Sequence, residues 1–146
     1  MPRSEFKFSF PFRVRYSEVD GQKIVFNAHY LTYFDTAITE YFRALAYDYM
    51  GQVDRIGEDF HTVKTLVEYW KPISFDQEID VLVRTSRMGR SSLTFDLQIY
   101  PKGVDDMLAS GEVVWVNTDQ TTHRSVPVPA ELVERLVAFE GEVFRG

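Results

Sequence analysis

The chain has 146 residues, a formal net charge of −6 and no cysteine, and 45% of its residues are hydrophobic and 15% aromatic. This length suits one domain, residues 1–146, and the lack of cysteine excludes disulfide scaffolds, Cys-zinc sites, iron–sulfur clusters and thiol nucleophiles. The acidic balance argues against a general nucleic-acid-binding protein, and no apolar run of about 18 residues is present that could span a membrane. Because charges interrupt the phenylalanines of the N-terminal segment, we expect no signal peptide and a cytoplasmic location.

The first predicted element is a β-strand with one apolar face. Period-two alternation places these residues on the apolar side: Phe6, Phe8, Phe10, Phe12, Val14 and Tyr16. Pro11 lacks an N–H group, so part of the strand is expected at a sheet edge or a bulge. The turn dipeptide Asp20-Gly21 ends this element.

A long amphipathic helix follows and is predicted over residues 28–50. Asn27 suits the N-cap position, and apolar side chains then recur at three- and four-residue steps. Gly51 suits the position just after the last turn. The apolar stripe is wide and aromatic, which is typical of a helix that lies across a sheet. Residues 51–61 are predicted to form a loop.

The rest of the chain is predicted to form four strands and a short closing helix. The strands are separated by turn signals, and they cover residues 63–73, 79–85, 93–99 and 107–118; the helix begins after Pro129. The order β-α-β-β-β-β-α favours an α+β fold, in which one long helix packs on one curved antiparallel sheet of five or more strands. Because the sheet edges are open, we expect subunits to pair.

Polar side chains cluster where the first strand meets the long helix. They are Glu18, Asp20, Gln22, Lys23, Asn27 and His29. A helix N-terminus offers unpaired backbone N–H groups with a partial positive charge, so a carboxylate facing them makes a workable hydrolytic site: the N–H groups polarise a carbonyl, and the acid attacks it or activates water. From the residues alone, Asp20 is first of all a turn residue, and no dinucleotide, P-loop, nucleophile-elbow or metal-binding motif is present.

Three stretches resemble hotdog-fold acyl-CoA thioesterases, and the closest group is that of 4-hydroxybenzoyl-CoA thioesterase. The main one is VRYSEVDGQKIVFNAHYLTYFDTAITEYFRA, which carries the family's order of Asp, a Gly-containing turn, two apolar residues, a small residue and Tyr before the long helix. The second, EYWKPISFDQEIDVLVRTSRMGRSSLTFDLQIY, is similar to the family's second to fourth strands. The tail RSVPVPAELVERL is similar to its last helix. The resemblance covers nearly the whole chain and implies the hotdog fold.

This resemblance implies an acyl-CoA thioesterase that uses no metal and no cofactor, since CoA is part of the substrate. It implies Asp20 as the catalytic carboxylate, acting as nucleophile or general base, and backbone N–H groups around Asn27 and Ala28 as the groups that polarise the thioester carbonyl. For CoA it implies Arg90, Ser91, Ser92 and Arg124, and for the acyl group Tyr30, Tyr33 and Phe34, in a slot between the long helix and a partner subunit. A homodimer or homotetramer is expected.

Two departures from the family pattern bear on the site. Lys23 stands where the family usually has Gly, in the turn just after the acid. Asn27 stands where one large subgroup has His, and His29 stands where that subgroup often has Asn. Two rival functions remain open: a hotdog hydratase or dehydratase, and a protein that binds an acyl group or acyl-CoA without hydrolysing it.

Overall fold

The computed structural model describes residues 2–141 and 143–145. Its regular elements are β1 Phe8–Arg13, α1 His29–Ala44, α2 Gln52–Ile56, β2 Glu58–Tyr69, β3 Glu78–Met88, β4 Ser92–Pro101, β5 Ala109–Asp119, α3 Ala130–Glu140 and β6 Phe144–Arg145, with short 3₁₀ turns at Arg3–Glu5 and Tyr16–Glu18. The predicted order of strands and helices is confirmed. The short elements α2 and β6 add to it.

The strands form one sheet in the order β1-β3-β4-β5-β2, and β6 pairs beside β3. All pairings along this path are antiparallel, whereas β6 runs parallel to β3. The predicted α+β hotdog architecture is therefore confirmed, with α1 packed on one sheet. Pro11 lies in an edge strand, as its missing N–H group requires. In the described part of the chain, no helix combines the length and apolar character needed to cross a membrane.

Helix α1 buries one face against the sheet at the level of β5. Phe34, Ala37 and Ile38 are fully buried there. Gly111 on β5 allows this approach: a Cβ atom at this position would lie 2.3 Å from Phe34 Cε2 and 2.6 Å from the Leu66 carbonyl oxygen. Only a residue without a side chain fits between this ring and the neighbouring strand.

The predicted end of the long helix was wrong. Helix α1 ends at Ala44, because Ala46 adopts a left-handed backbone conformation with φ of 58°. Tyr47 then folds back, its N–H donating to the Phe42 carbonyl at 3.1 Å, and its ring lies 6.3 Å from the Phe42 ring. Arg135 Nη1 donates to the Ala46 carbonyl at 2.7 Å. The aromatic residues after Ala44 therefore pack on the helix because the chain folds back, and not because the helix continues.

Two neighbouring predictions also need correction. The stretch 51–61 was predicted to be a loop, but it contains α2 and the first residues of β2. Asn27 was predicted to be the N-cap, but Ala28 occupies that position, and no side-chain hydrogen bond caps the helix. The Tyr30 N–H, which a capping side chain could otherwise bind, donates to the Asn27 carbonyl at 3.3 Å.

Candidate active site

An open cleft of about 390 Å³ lies where the 20–27 loop, the start of α1 and the end of β2 meet. Its walls are formed by Asp20, Ile24, Val25, Phe26, Asn27, Tyr30, Tyr69, Trp70, Lys71 and Pro72. Three of the residues that the sequence singled out, Asp20, Asn27 and Tyr30, share this cleft. The lining is mostly apolar, with one carboxylate and one ammonium group.

Asp20 opens a tight loop whose backbone is bonded across its base. Its N–H donates to the Ile24 carbonyl at 3.0 Å, and its own carbonyl accepts the Lys23 N–H at 2.9 Å. Its Oδ1 atom accepts the Gln22 N–H at 2.8 Å. The carboxylate is exposed on the cleft wall, so Asp20 is both the turn residue and the acid of the cleft.

The lysine after this turn takes the place of the glycine that is usual in the family. Lys23 has φ of 62°, a left-handed conformation that glycine adopts without steric cost. Its carbonyl accepts the Phe75 N–H at 3.0 Å. The loop therefore keeps a glycine-type backbone with a lysine in it, and the lysine side chain is exposed, away from the cleft wall.

Backbone N–H groups at the start of α1 stand beside the acid. Within residues 2–141 and 143–145, the N–H groups of Asn27 and Ala28 donate to no protein group. The next N–H, of His29, donates to the Phe26 carbonyl at 2.9 Å. The Tyr69 hydroxyl donates to the Asn27 carbonyl at 3.3 Å, which ties the end of β2 to the helix start. Asp20 and Asn27 thus line the same cleft, and Ala28 follows Asn27 directly at the start of the helix.

The three residues predicted for the acyl slot separate in the structure. Tyr30 lines the cleft, with its ring 4.8 Å from that of Tyr69 in an edge-to-face contact. Burial raises the pKa of the Tyr30 hydroxyl, and the neighbouring Tyr69 raises it further. Tyr33 and Phe34 are 2% and 0% exposed and lie in the core behind the cleft. Of the three, only Tyr30 is placed to touch a molecule in the cleft.

Glu18 is the residue whose surroundings the sequence analysis did not anticipate. It is 3% exposed, and its carboxylate accepts the Arg15 backbone N–H at 2.8 Å and the Tyr33 hydroxyl at 3.0 Å on Oε1. Arg15 Nε donates to Oε2 at 2.8 Å. Burial by itself raises the pKa of Glu18, but these hydrogen bonds from Arg15 and Tyr33 outweigh it and hold the pKa below its ordinary range.

The residues predicted to bind CoA lie together at another part of the chain. Arg90 and Ser91 lie in the turn between β3 and β4, and Ser92 is the first residue of β4. The connection that follows β5 holds Arg124, and it is tied to this turn by the Val128 N–H, which donates to the Arg90 carbonyl at 2.9 Å. Both arginine side chains are exposed. The structure thus groups four of the predicted residues on one surface.

This surface is far from the cleft within one chain. The cleft lies beside the first residue of β5, where Tyr69 pairs with Ala109, while the turn adjoins its other end, where Ser92 pairs with Val116. Ala109 and Val116 are seven residues apart on β5, which is about 23 Å at the usual rise of a strand. A single chain therefore does not bring Asp20 and the predicted CoA-binding residues together.

Four further cleft residues come from the end of β2 and the turn after it. Trp70 Nε1 donates to Ser110 Oγ at 3.0 Å, and Lys71 Nζ donates to Asp106 Oδ1 at 2.6 Å. With Tyr69 and Pro72 they face the Asp20 loop across the cleft. Lys71 and Pro72 were predicted to lie inside a strand, 63–73, but the strand ends at Tyr69. The position of this turn beside Asp20 was not visible in the sequence, because it depends on the Val25 N–H donating to the distant Ile73 carbonyl.

The arrangement suits the hydrolysis of an activated carbonyl compound. A carboxylate can attack or activate water, and unpaired backbone N–H groups can bind the oxygen that gains negative charge. Among the residues described, no group of three or more His, Cys, Asp or Glu side chains is placed to hold a metal ion.

Comparison with known proteins points the same way. The chain is 29% identical over 126 residues to the acyl-CoA thioesterase YbgC of Haemophilus influenzae, covering 86% of this chain and 90% of that one. The crystal structure of the PA5185 protein from Pseudomonas aeruginosa has a TM-score of 0.83 at 26% identity and covers 97% of both chains. A 1,4-dihydroxy-2-naphthoyl-CoA thioesterase from Synechocystis shares the fold, with a TM-score of 0.83 at 13% identity and coverage of 88% and 94%.

The family comparison covers most of the domain. Residues 14–136 match the model of the thioesterase-like superfamily, a range that runs from the residue after β1 into α3. It includes the cleft, the long helix and the turn with the predicted CoA-binding residues. The match confirms the family predicted from the Asp20-to-Tyr30 motif, and the chain belongs to the thioesterase-like superfamily.

Proposed function

We propose that this protein hydrolyses acyl-CoA thioesters to a free carboxylic acid and CoA. The observation that carries the proposal is that Asp20 and Asn27 line one cleft, and that the N–H groups of Asn27 and of Ala28, the next residue, donate to no group among the residues described. The similarity to an acyl-CoA thioesterase of Haemophilus influenzae supports the same substrate class.

In the proposed reaction, the thioester carbonyl oxygen points to the N–H groups at the start of α1. These groups stabilise the negative charge that develops on the oxygen when the carbonyl carbon is attacked. Asp20 acts in one of two ways: it attacks the carbon and forms an anhydride that water then hydrolyses, or it takes a proton from the attacking water. In both routes the carbon–sulfur bond breaks, and the CoA thiolate leaves and takes up a proton.

The acyl group is proposed to lie on the apolar part of the cleft. Tyr30 and Tyr69 form one aromatic wall there, with Ile24 and Val25 nearby. This wall suits aromatic and aliphatic acyl groups alike. A panel of short, long and aromatic acyl-CoAs ranked by kcat/KM identifies the preferred one.

We propose that a second copy of the chain completes the CoA-binding part of the site. The outer edge of β2 is open, and exposed apolar side chains lie on it and just beyond it: Val63, Leu66, Tyr69 and Trp70 are 42–60% exposed. Long, uncovered apolar edges favour strand pairing. Antiparallel pairing of two copies of β2 places the Tyr69 end of one beside the Glu58 end of the other. Glu58 pairs with Asp119 at the end of β5. The second copy therefore brings its predicted CoA-binding surface, which holds Arg90 and Arg124, towards the first copy's cleft.

The catalytic assignment is tested with Asp20→Asn. We expect kcat for acyl-CoA hydrolysis to fall about 10²- to 10⁴-fold, with an unchanged unfolding midpoint because the side chain is exposed. Asp48→Asn is the matched control, since Asp48 is also exposed and its Oδ1 accepts one backbone N–H, from Gly51 at 3.0 Å. A full rate in Asp20→Asn contradicts the assignment. Tight binding of intact acyl-CoA by the wild type favours the non-catalytic alternative, and hydration of an enoyl-CoA favours the hydratase.

The shared site is tested by mixing two inactive variants. One carries Asp20→Asn, and the other carries Arg90→Glu and Arg124→Glu. If the acid and the CoA-binding arginines of one site come from different chains, mixed dimers contain one intact site, and activity returns on mixing. If both come from the same chain, mixing restores nothing.

A further inference from the structure

Glu18 and Tyr33 form a buried pair that the proposed reaction does not use directly. We propose that this pair positions the Asp20 loop against the start of α1 and so sets the geometry of the catalytic cleft. The inference rests on the proposed function. It makes Glu18 and Tyr33 positioning residues, because neither lies on the cleft wall.

The first part of the argument is that Glu18 holds the base of the loop. Its carboxylate accepts hydrogen bonds from the backbone and side chain of Arg15, which fix the 3₁₀ turn before the loop. Its backbone carbonyl accepts the Phe26 N–H at 2.9 Å, which closes the loop on the far side of Asp20. Between these points, Val19 and Val25 form an antiparallel bridge. One residue therefore binds both legs of the loop that carries the catalytic acid.

The second part is that Tyr33 connects this loop to the helix. Tyr33 lies in the first turns of α1, close behind the N–H groups of Asn27 and Ala28. Its hydroxyl donates to Glu18 Oε1 at 3.0 Å, and its ring lies 4.9 Å from that of Phe12 on β1. Since Tyr33 is only 2% exposed, packing holds its ring in place. The hydrogen bond therefore fixes the position of the loop relative to the helix.

The consequence for catalysis is geometric. The acid must approach one side of a carbonyl carbon while the helix N–H groups bind its oxygen, so the loop and the helix start must keep a fixed separation. A displacement of about 1 Å in such an arrangement costs up to about 10²-fold in rate. Within the described residues, the Glu18–Tyr33 bond is the side-chain hydrogen bond that joins this loop to α1.

The test compares two buried tyrosines of the same helix. Tyr33→Phe removes the hydroxyl that binds Glu18, and Tyr41→Phe removes one that donates to Glu140 at the other end of the helix. Both residues are almost fully buried and lie outside the cleft, and both hydroxyls bind a glutamate; that of Tyr41 also bonds Thr85 Oγ1 at 2.9 Å. We therefore expect the loss of unfolding midpoint in Tyr41→Phe to be at least as large as in Tyr33→Phe. Only Tyr33→Phe should lower kcat, by roughly 10- to 100-fold, with KM within about threefold of the wild type.

Amide hydrogen exchange of residues 19–26 separates positioning from a general loss of stability. We expect faster exchange of these residues in Tyr33→Phe but not in Tyr41→Phe. Wild-type kcat in Tyr33→Phe, or equal kcat losses in the two variants, overturns the inference while Asp20→Asn still supports the proposed function. If the wild type hydrolyses no thioester, the proposed function fails instead, and exchange of residues 19–26 still decides whether the pair holds the loop.

Discussion

The two halves of α1 are built for different tasks. The N-terminal half borders an open cleft, where Tyr30 forms part of the wall and the N–H groups of Asn27 and Ala28, just before the helix, donate to no group in the described part of the chain. The C-terminal half is enclosed by aromatic rings: Trp115 stacks on Phe42 with centroids 5.6 Å apart and planes 7° apart. One helix thus leaves polar backbone groups unsatisfied at one end and is stabilised by dense packing at the other.

This contrast predicts that stability and activity can be changed separately. Phe42→Ala removes a ring that is 1% exposed and touches Phe95, Tyr49 and Trp115. We expect the free energy of unfolding to fall by about 3–5 kcal/mol, as measured by denaturant titration. The kcat per folded molecule should stay unchanged, because the packing lies at the far end of the helix. A kcat loss as large as that of Tyr33→Phe would show that the two halves are not independent.

The middle of the helix depends on the close approach at β5. Gly111→Ala places a methyl group against the Phe34 ring and the Leu66 carbonyl. We expect a loss of about 2 kcal/mol in the free energy of unfolding, since overpacking of this kind costs about 1–3 kcal/mol. Gly21→Ala is the control, because no atom lies within 4 Å of the added methyl group. Equal midpoints for the two variants would contradict this account of the contact.

The polar anchor at the cleft end, the Glu18 carboxylate with its partners Arg15 and Tyr33, makes the stability of the fold depend on pH. Glu18→Gln keeps the shape of the side chain but loses the charge that Arg15 and Tyr33 stabilise. We expect a loss of about 1–2 kcal/mol at neutral pH, as for a buried hydrogen bond to a charged group. The measurement is the free energy of unfolding at several pH values.

The direction in which the free energy of unfolding changes with pH follows from the lowered pKa of Glu18 in the folded state. The carboxylate's contribution is fully present above its ordinary pKa of 4.5, where both states are ionised. It is lost as the pH falls through the lower folded-state pKa, because the unfolded chain then binds the proton more readily. The stability gap between wild type and Glu18→Gln should therefore narrow on acidification below about pH 4.5. A gap that stays constant to the lowest measurable pH would refute this.

The sequence predicts those features of the two halves that depend on neighbouring residues, and misses those that depend on contacts between residues far apart in the chain. Local patterns predict the turn at Asp20-Gly21, the helix that follows and the order of strands and helices along the chain, and the structure has all of them. The helix end was missed because Ala46 adopts a left-handed conformation that no local signal favours. It is held there by Arg135 from α3, about 90 residues later in the chain.

The same limit applies to the cleft. That Asp20 and Asn27 lie near each other at the start of the helix could be predicted, since both lie in one local motif. The position of Tyr69 could not, because it reaches the helix start only through the packing of the distant end of β2. Glu18 was visible as a polar residue beside Asp20. Its burial depends on Tyr33, which faces it only when α1 folds back over β1.

The smallest expected effect concerns the loop that carries the acid. Lys23 has a left-handed backbone with φ of 62°, where a Cβ atom costs about 1–2 kcal/mol. Lys23→Gly removes this cost but adds backbone entropy to the unfolded chain, so we expect a net gain of about 0.5–1 kcal/mol in the free energy of unfolding. Lys23→Ala keeps the Cβ atom and should gain nothing, which separates backbone strain from the loss of the lysine charge. Equal gains in both variants would assign the effect to the charge. With the strain as the cause, kcat should remain at the wild-type value in Lys23→Gly, because the Glu18–Tyr33 pair and the Val19–Val25 bridge still hold both legs of the loop.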